Sequence, residues 1–281
     1  MFLQIYSRFR STVNFLYMNR FQDINFVDID QEHMLGRIHS FENSSALDGP
    51  GLRVVVFMQG CQFRCKYCHN RDSWDLRAGS LYSVAEVVER VLPFRPFLQA
   101  SNGGVTVSGG EALLQPEFVT LLFKQLKKLG FHTCLDTNGY VSDHLYGEKL
   151  DELLSYTDLI LLDLKHIDRL KHEALTGVGN DKPRNFARFL ADIEHPIWIR
   201  HVLVPGYTDE ENDLRSLAKF LSPMKNVKKI EILPYHRLGK PKWEEMGLEY
   251  PLAHVEPPSR ESIKGIIEMF KQDYGLNVVS P

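Results

Sequence analysis

Six short apolar runs, each followed by a polar or glycine-rich cluster and then by an amphipathic stretch, constrain the fold of this chain more than any other feature. The runs are Arg53–Gln59, Gly104–Ser108, His132–Asp136, Leu159–Leu164, Ile197–Val204 and Lys229–Leu233. Runs of this length read as buried strands, and the helical patterns between them supply the crossovers that a parallel sheet needs. Helices are expected at Ser83–Val91, which opens with the capping box Ser83-x-x-Glu86, and at Pro116–Leu129, Asp209–Leu221 and Ser259–Tyr274, the last stopped by Gly275. Repeated βα units in this order predict a partial (β/α)6 TIM-like barrel. It is splayed, because six units do not close the ring that eight close. No internal repeat or linker interrupts residues 34–281, which therefore read as one domain.

The clusters at the strand ends hold the chemistry. They are a cysteine loop, Ser-Gly-Gly-Glu at 108–111, Asp-Thr-Asn-Gly at 136–139, Asp-Leu-Lys at 163–165, Val-Pro-Gly-Tyr at 204–207 and Leu-Pro-Tyr-His at 233–236. In α/β barrels functional groups collect at the C-terminal face of the strands, so these six clusters are expected to converge on one mouth. Asp163 and Lys165, two apart in a strand, project to the same face of it.

The cysteine loop, G-C-Q-F-R-C-K-Y-C-H-N, offers Cys61, Cys65 and Cys68 in the spacing C-x3-C-x2-C. Thiolates at this density select zinc or an iron–sulfur cluster. Structural zinc wants four ligands, commonly as two separated pairs. Only Cys134 remains as a further cysteine, and it lies within an apolar run where a small buried hydrophobe is the ordinary reading. His69 follows Cys68 too closely to share its metal comfortably. A cubane cluster has four irons, so three thiolates would leave one open to a small molecule. A disulfide framework is disfavoured in a chain long enough to bury its own core.

Composition excludes more than it identifies. Hydrophobic residues make up 43%, charged residues 25%, and the net charge of −3 carries no footprint for nucleic acid. No apolar run reaches the roughly 18 to 20 residues of a membrane span. Reduced thiols point to a reducing, cytoplasmic compartment. Residues 1–33 stand apart, with three arginines before the first acid at Asp23. They read as a disordered or non-native N-terminal extension, an organelle transit peptide being the alternative.

With Tyr67 between its second and third cysteines, and with Ser108–Glu111 downstream, the cysteine loop resembles that of the radical S-adenosylmethionine superfamily. Asp48-Gly49-Pro50-Gly51, Cys68-His69-Asn70, Leu135–Gly139, Leu162–Lys165 and Leu233–His236 extend the likeness to the glycyl-radical activases, in particular the pyruvate formate-lyase activating family, from about Leu35 to the C-terminus. The resemblance implies a 4Fe-4S cluster on Cys61, Cys65 and Cys68, with S-adenosylmethionine chelated to the open iron. It implies one electron from flavodoxin or a similar donor, a 5′-deoxyadenosyl radical, and abstraction of a Cα hydrogen from a glycine of pyruvate formate-lyase. A monomer is expected. No side-chain acid, base or nucleophile is required.

Residue by residue, the likeness implies that Gly109 and Gly110 approach the methionine end and that Glu111 pairs with a donor nearby. Tyr67 would stack on adenine beside His69 and Asn70. Asp163, Leu164 and Lys165 would meet the ribose and carboxylate ends, and His236 the adenosyl group. Asp136 and Thr137 would hold a monovalent cation, and Asp48–Gly51 would lie near the docked glycine loop. Each has a plainer alternative: tight turns for Gly-Gly, Asp-Thr-Asn-Gly and Asp48–Gly51, an ion pair for Asp163 with Lys165, and a structural histidine for His236. Arg200, in a buried strand, needs an anionic partner in any case.

Three other functions compete. Activases of other glycyl-radical enzymes often carry an inserted cysteine-rich segment after the cluster motif, but Asn70–Val107 contains no cysteine. A radical enzyme acting on a small molecule would need a closed pocket with its own substrate groups. A non-catalytic zinc-binding interaction module would leave the strand-end clusters unexplained.

Overall fold

The computed structural model describes residues 34–281, so the N-terminal extension lies outside the described residues. Nine strands form a single open sheet: β1 (Leu35–Ser45), β2 (Arg53–Met58), β3 (Ser80–Ser83), β4 (Gly104–Gly109), β5 (His132–Thr137), β6 (Leu159–Asp163), β7 (Ile197–Leu203), β8 (Val227–Pro234) and β9 (Val278–Val279). Their order is β3-β1-β2-β4-β5-β6-β7-β8-β9. The six strands expected from sequence are β2 and β4 to β8. They run parallel in chain order, as right-handed βα crossovers dictate.

Three edge strands add to the expected six. β1 and β3 pair antiparallel beside β2, and β9 adds two residues beside β8. β1 is mostly polar and its pairing with β2 is irregular, so no clean alternation marks it in sequence. Gly36 is required there by packing: a Cβ would stand 2.6 Å from the Phe118 ring.

Nine α-helices lie among the described residues: α1 (Val84–Val91), α2 (Arg95–Ala100), α3 (Pro116–Lys128), α4 (Glu148–Ser155), α5 (Arg169–Thr176), α6 (Asp181–Asp192), α7 (Glu211–Leu221), α8 (Lys240–Glu245) and α9 (Arg260–Tyr274). The Ser83 capping box forms as expected, with the Ser83 and Glu86 side chains each accepting from the other's backbone N–H. Gly275 ends α9 in the left-handed conformation. Val84, Val87, Val88 and Val91 of α1, and Leu122, Phe123 and Leu126 of α3, turn onto the sheet. Each such side chain, fully buried, contributes about 1.5–3 kcal/mol relative to exposure. No described helix is long and apolar enough to cross a membrane.

Alternation along the strands divides the sheet into two faces. Val54, Val56, Val105, Val107, Leu135, Ile160, Leu162 and Ile199 face the helices in the main core. The intervening residues face inward. Toward the strand beginnings, Cys134, Leu159, Leu161 and Trp198 pack together as a floor, beside the wholly buried Arg53. Toward the strand ends the inward residues are Ser108, Asp136, Asp163 and Arg200, and this is the mouth.

Candidate functional site

A cavity of about 620 Å³ opens at the mouth, a size suited to a cofactor-sized ligand. Cys61, Cys65 and Cys68 line one wall of it. Tyr67, His69, Gly109, Gly110, Asp163, Lys165 and His236 line the rest, with Asp48, Asp136, Thr137 and Arg200. Clusters separated by up to 175 residues in sequence therefore share one space. Two expected site residues stand behind this wall. Leu164 is 3% exposed and packs in the helix-facing core, its backbone bonded to Arg200 O and to His201 Nδ1. Glu111 is 1% exposed, and its carboxylate accepts from Thr137 Oγ1 at 2.6 Å, Asn138 N at 2.8 Å and Leu113 N at 2.9 Å. The donors it pairs with belong to the protein. It ties the Ser-Gly-Gly-Glu turn to the Asp-Thr-Asn-Gly turn, and burial pushes its pKa up to about 7 against those donors.

The cysteine loop is fixed from several sides. Arg64 N and Lys66 N donate to Thr176 O and Leu175 O at the end of α5. Arg64 Nη1 donates to the Cys61 and Phe63 carbonyls at 2.7 and 2.8 Å. Phe63 packs edge-on against Tyr140 and His172. The thiols form no disulfide. Burial pushes Cys61 up to about 12, with Glu111 adding to the effect, and raises Cys65 and Cys68 as well. Lys165 opposes the rise at all three. Thiols so buried become thiolates when a metal centre supplies the compensating positive charge. Among the described residues no group of three Cys, His, Asp or Glu side chains is gathered closely enough to hold a single metal ion.

Gly109 and Gly110 meet the start of this loop backbone to backbone. Gly109 has φ +121°, and a Cβ on it would lie 2.2 Å from Met58 N; one on Gly110 would lie 2.2 Å from Gly60 O. Both positions need glycine for close approach and both border the cavity. Opposite them, Lys165 Nζ sits 2.8 Å from Asp163 Oδ2 and 5.7 Å from the centre of the Tyr67 ring. Burial works against the charge on Lys165, but Asp163, followed by Tyr67 and Cys65, holds its pKa well above the ordinary lysine range. The His69 and His236 rings lie 4.4 Å apart at the rim.

Arg200 finds more anionic partners than the sequence required. Nε reaches Glu231 at 3.2 Å, Nη1 reaches Asp136 at 3.4 Å and Asp48 at 3.5 Å, and Nη2 donates to Leu47 O. Asp136 Oδ2 also accepts from Ser108 Oγ at 2.6 Å. Burial nevertheless pushes Asp136 up to about 6, Arg200 being the main opposing influence. Thr137 Oγ1 is already committed, donating to Glu111 and accepting from Gly139 N. At this cavity Asp136 Oδ1 and Tyr67 Oη are buried without hydrogen-bond partners. Orphaned polar atoms beside three thiols fit a polar ligand carried on a thiolate-held cluster.

Sequence reasoning missed the residues that grip Cys68 from outside. A short 3-10 turn, Arg71–Ser73, folds Trp74 back so that its Nε1 lies 3.3 Å from Cys68 Sγ. Trp243 Nε1 of α8 donates to Cys68 O at 2.9 Å, and Gly239 packs so closely on His69 that a Cβ would come within 2.8 Å of its Cα. The aromatic residue six positions after Cys68 was the available signal for the first contact. The second comes from 175 residues away and had none.

Residues 55–218 match the radical SAM superfamily. The chain is 50% identical over 240 residues to the pyruvate formate-lyase 1-activating enzyme of Escherichia coli K12, covering 84% of this chain and 97% of that protein. It is 52% identical over 232 residues to the pyruvate formate-lyase-activating enzyme of Staphylococcus epidermidis, covering 82% and 92%. A crystal structure of a domain of pyruvate-formate lyase-activating enzyme from Bacteroides vulgatus superposes with a TM-score of 0.54 at 29% identity, over 64% of this chain and 99% of that one. SuiB of Streptococcus suis, crystallised with its precursor peptide SuiA, shares the fold with a TM-score of 0.60 at 17% identity, over 98% of this chain and 61% of that one.

Proposed function

The chain belongs to the radical SAM superfamily and, within it, to the pyruvate formate-lyase-activating enzymes, and from that premise we propose that it installs the glycyl radical of pyruvate formate-lyase. The observation that carries this reading is the meeting of Cys61, Cys65 and Cys68 with four other strand-end clusters around one cavity; the Val-Pro-Gly-Tyr cluster, expected there too, lines a separate cleft through Pro205, Gly206 and Tyr207. A 4Fe-4S cluster held by Cys61, Cys65 and Cys68 would supply the single electron that cleaves the C5′–S bond of S-adenosylmethionine, with methionine leaving and the 5′-deoxyadenosyl fragment free to accept the glycine hydrogen.

The chain's own residues bind, orient and exclude. Cys61, Cys65 and Cys68 are the three ligands. Gly109 and Gly110 leave backbone, with no side chain, facing the methionine end. Asp163 and Lys165 offer an acceptor and a donor for the ribose and carboxylate, and their mutual ion pair holds both in place until then. Tyr67, His69 and His236 form the adenosyl wall. Glu111 and Leu164 act one layer back, as supports of the turns that carry the contacts. A monovalent cation near Asp136 and Thr137 finds its support in the unpartnered Asp136 Oδ1. Flavodoxin or a similar one-electron donor, a cytoplasmic setting, a monomeric state and a single domain spanning residues 34–281 complete the proposal.

An anaerobic assay tests it. Reconstituted, reduced protein is mixed with S-adenosylmethionine and pyruvate formate-lyase, and the glycyl-radical doublet is read by electron paramagnetic resonance. A doublet matched by 5′-deoxyadenosine supports the reading. Release of 5′-deoxyadenosine with no doublet would reject this partner, and neither signal from cluster-loaded protein would reject the reaction.

A further inference from the structure

We propose that Trp74 sets the reduction potential of the cluster by donating its indole N–H to the sulfur of Cys68. The inference rests on the cluster assignment above. Indole nitrogen can only donate, so at 3.3 Å from Cys68 Sγ its hydrogen has one direction to serve. A hydrogen bond to a ligating sulfur draws off thiolate charge and favours the more negative, reduced cluster.

The surroundings hold the indole in this pose. Trp74 is 8% exposed. The Arg71 guanidinium stacks on its ring at 4.1 Å and that of Arg64 at 4.9 Å. Trp243 meets it edge-on at 5.4 Å and 86°. Ser73 Oγ closes the preceding turn on Asn70 O at 2.7 Å, which fixes the distance between Cys68 and the ring. Backbone N–H groups also serve two of the sulfurs, Phe63 at Cys61 and Asn70 at Cys68, so what sets Cys68 apart is a close side-chain donor. The other side-chain donor to a loop cysteine, Asn138 Nδ2, stands 3.9 Å from Cys61 Sγ, where a bond is much weaker.

Trp74 is a positioning residue in this account: it touches a ligand, and its effect is read as a potential. The decisive variant replaces Trp74 with benzothienylalanine, which keeps the ring and its stacking but exchanges the N–H for sulfur. Trp74→Phe is the genetically simple companion. Trp243→Phe is the control, since it keeps an aromatic ring against the Trp74 indole while removing a donor to the Cys68 carbonyl and none to a sulfur. Iron and sulfide content are measured first. The cluster is then titrated under dithionite, and its reduced form is followed by electron paramagnetic resonance.

The expected result is wild-type cluster content in the benzothienylalanine protein, with the ratio of reduced to oxidised cluster at fixed potential falling about tenfold. For a one-electron couple that is a midpoint about 59 mV lower. Trp243→Phe is expected to leave the midpoint in place. An unchanged midpoint in the benzothienylalanine protein, or an equal fall in Trp243→Phe, would overturn the inference and leave the proposed function standing. A wild-type protein that takes up no iron–sulfur cluster would overturn both.

Discussion

Two buried arginines on the inner face of one sheet, Arg53 at the floor and Arg200 at the mouth, live in opposite surroundings. Arg53 is enclosed by neutral groups: Thr106 Oγ1 at 3.0 Å, Val105 O at 2.7 Å, His132 Nδ1 at 3.1 Å and Pro50 O at 3.3 Å. Burial lowers its pKa. Arg200 faces Asp48, Asp136 and Glu231, and their charges outweigh its burial and raise its pKa. The floor is also closed in its hydrogen bonding around Arg53, whereas the mouth leaves Asp136 Oδ1 and Tyr67 Oη unpartnered. A closed network rigidifies, and an open one awaits a ligand. The same contrast separates the cysteines, with Cys134 sealed in the floor and three thiols on the cavity.

The largest expected effect breaks the comparison at the cysteines. Cys65→Ser is expected to abolish cluster assembly, and Cys134→Ala to leave it nearly intact, both read from iron content after anaerobic reconstitution. Loss of the cluster in Cys134→Ala alone would reverse the assignment of the two ends. Next comes Arg53→Met, which strands Thr106 and several carbonyls. It is expected to cost about 3 kcal/mol in urea unfolding while cluster content per folded molecule stays normal.

Glu111 ties the turns at the mouth and sharpens the contrast through pH. Its folded pKa of about 7 lies above the ordinary value of 4.5. The folded state therefore binds the proton more tightly, so this contribution to stability is complete below about pH 4.5 and is lost as pH rises through 7. Glu111→Gln is expected to flatten that slope in urea melts at successive pH values, whatever its offset; an unchanged slope would show that Glu111 titrates normally. The smallest effect is Tyr67→Phe. Removing a hydroxyl that has no partner is expected to change stability by less than about 1 kcal/mol, while weakening S-adenosylmethionine binding in calorimetry.

Legibility in the sequence followed the same division. β2 and β4 to β8 were readable because buried parallel strands are continuous apolar runs. β1 and β3 were not, since polar, antiparallel edge strands depend on partners that no local pattern reveals. At the site, the strand period already separated Asp163 and Lys165 from Leu164. The resemblance grouped all three, and the structure turns Leu164 to the helices as alternation requires. Glu111 lies beyond the strand, where no period applies, and its inward turn is set by Thr137 and Asn138 from another unit. Trp243 was hidden for the same reason, and Trp74, though only six residues beyond Cys68, gains its role only once the loop is folded around that cysteine.

The most direct test of the contrast between mouth and floor is electron–nuclear double resonance on the reduced, cluster-loaded protein with S-adenosylmethionine labelled with nitrogen-15 at its amino group. A nitrogen-15 coupling on the cluster signal is expected, because three thiolates at the mouth leave one iron for the cofactor. A fully loaded cluster whose signal carries no such coupling, with the cofactor demonstrably bound, would contradict it.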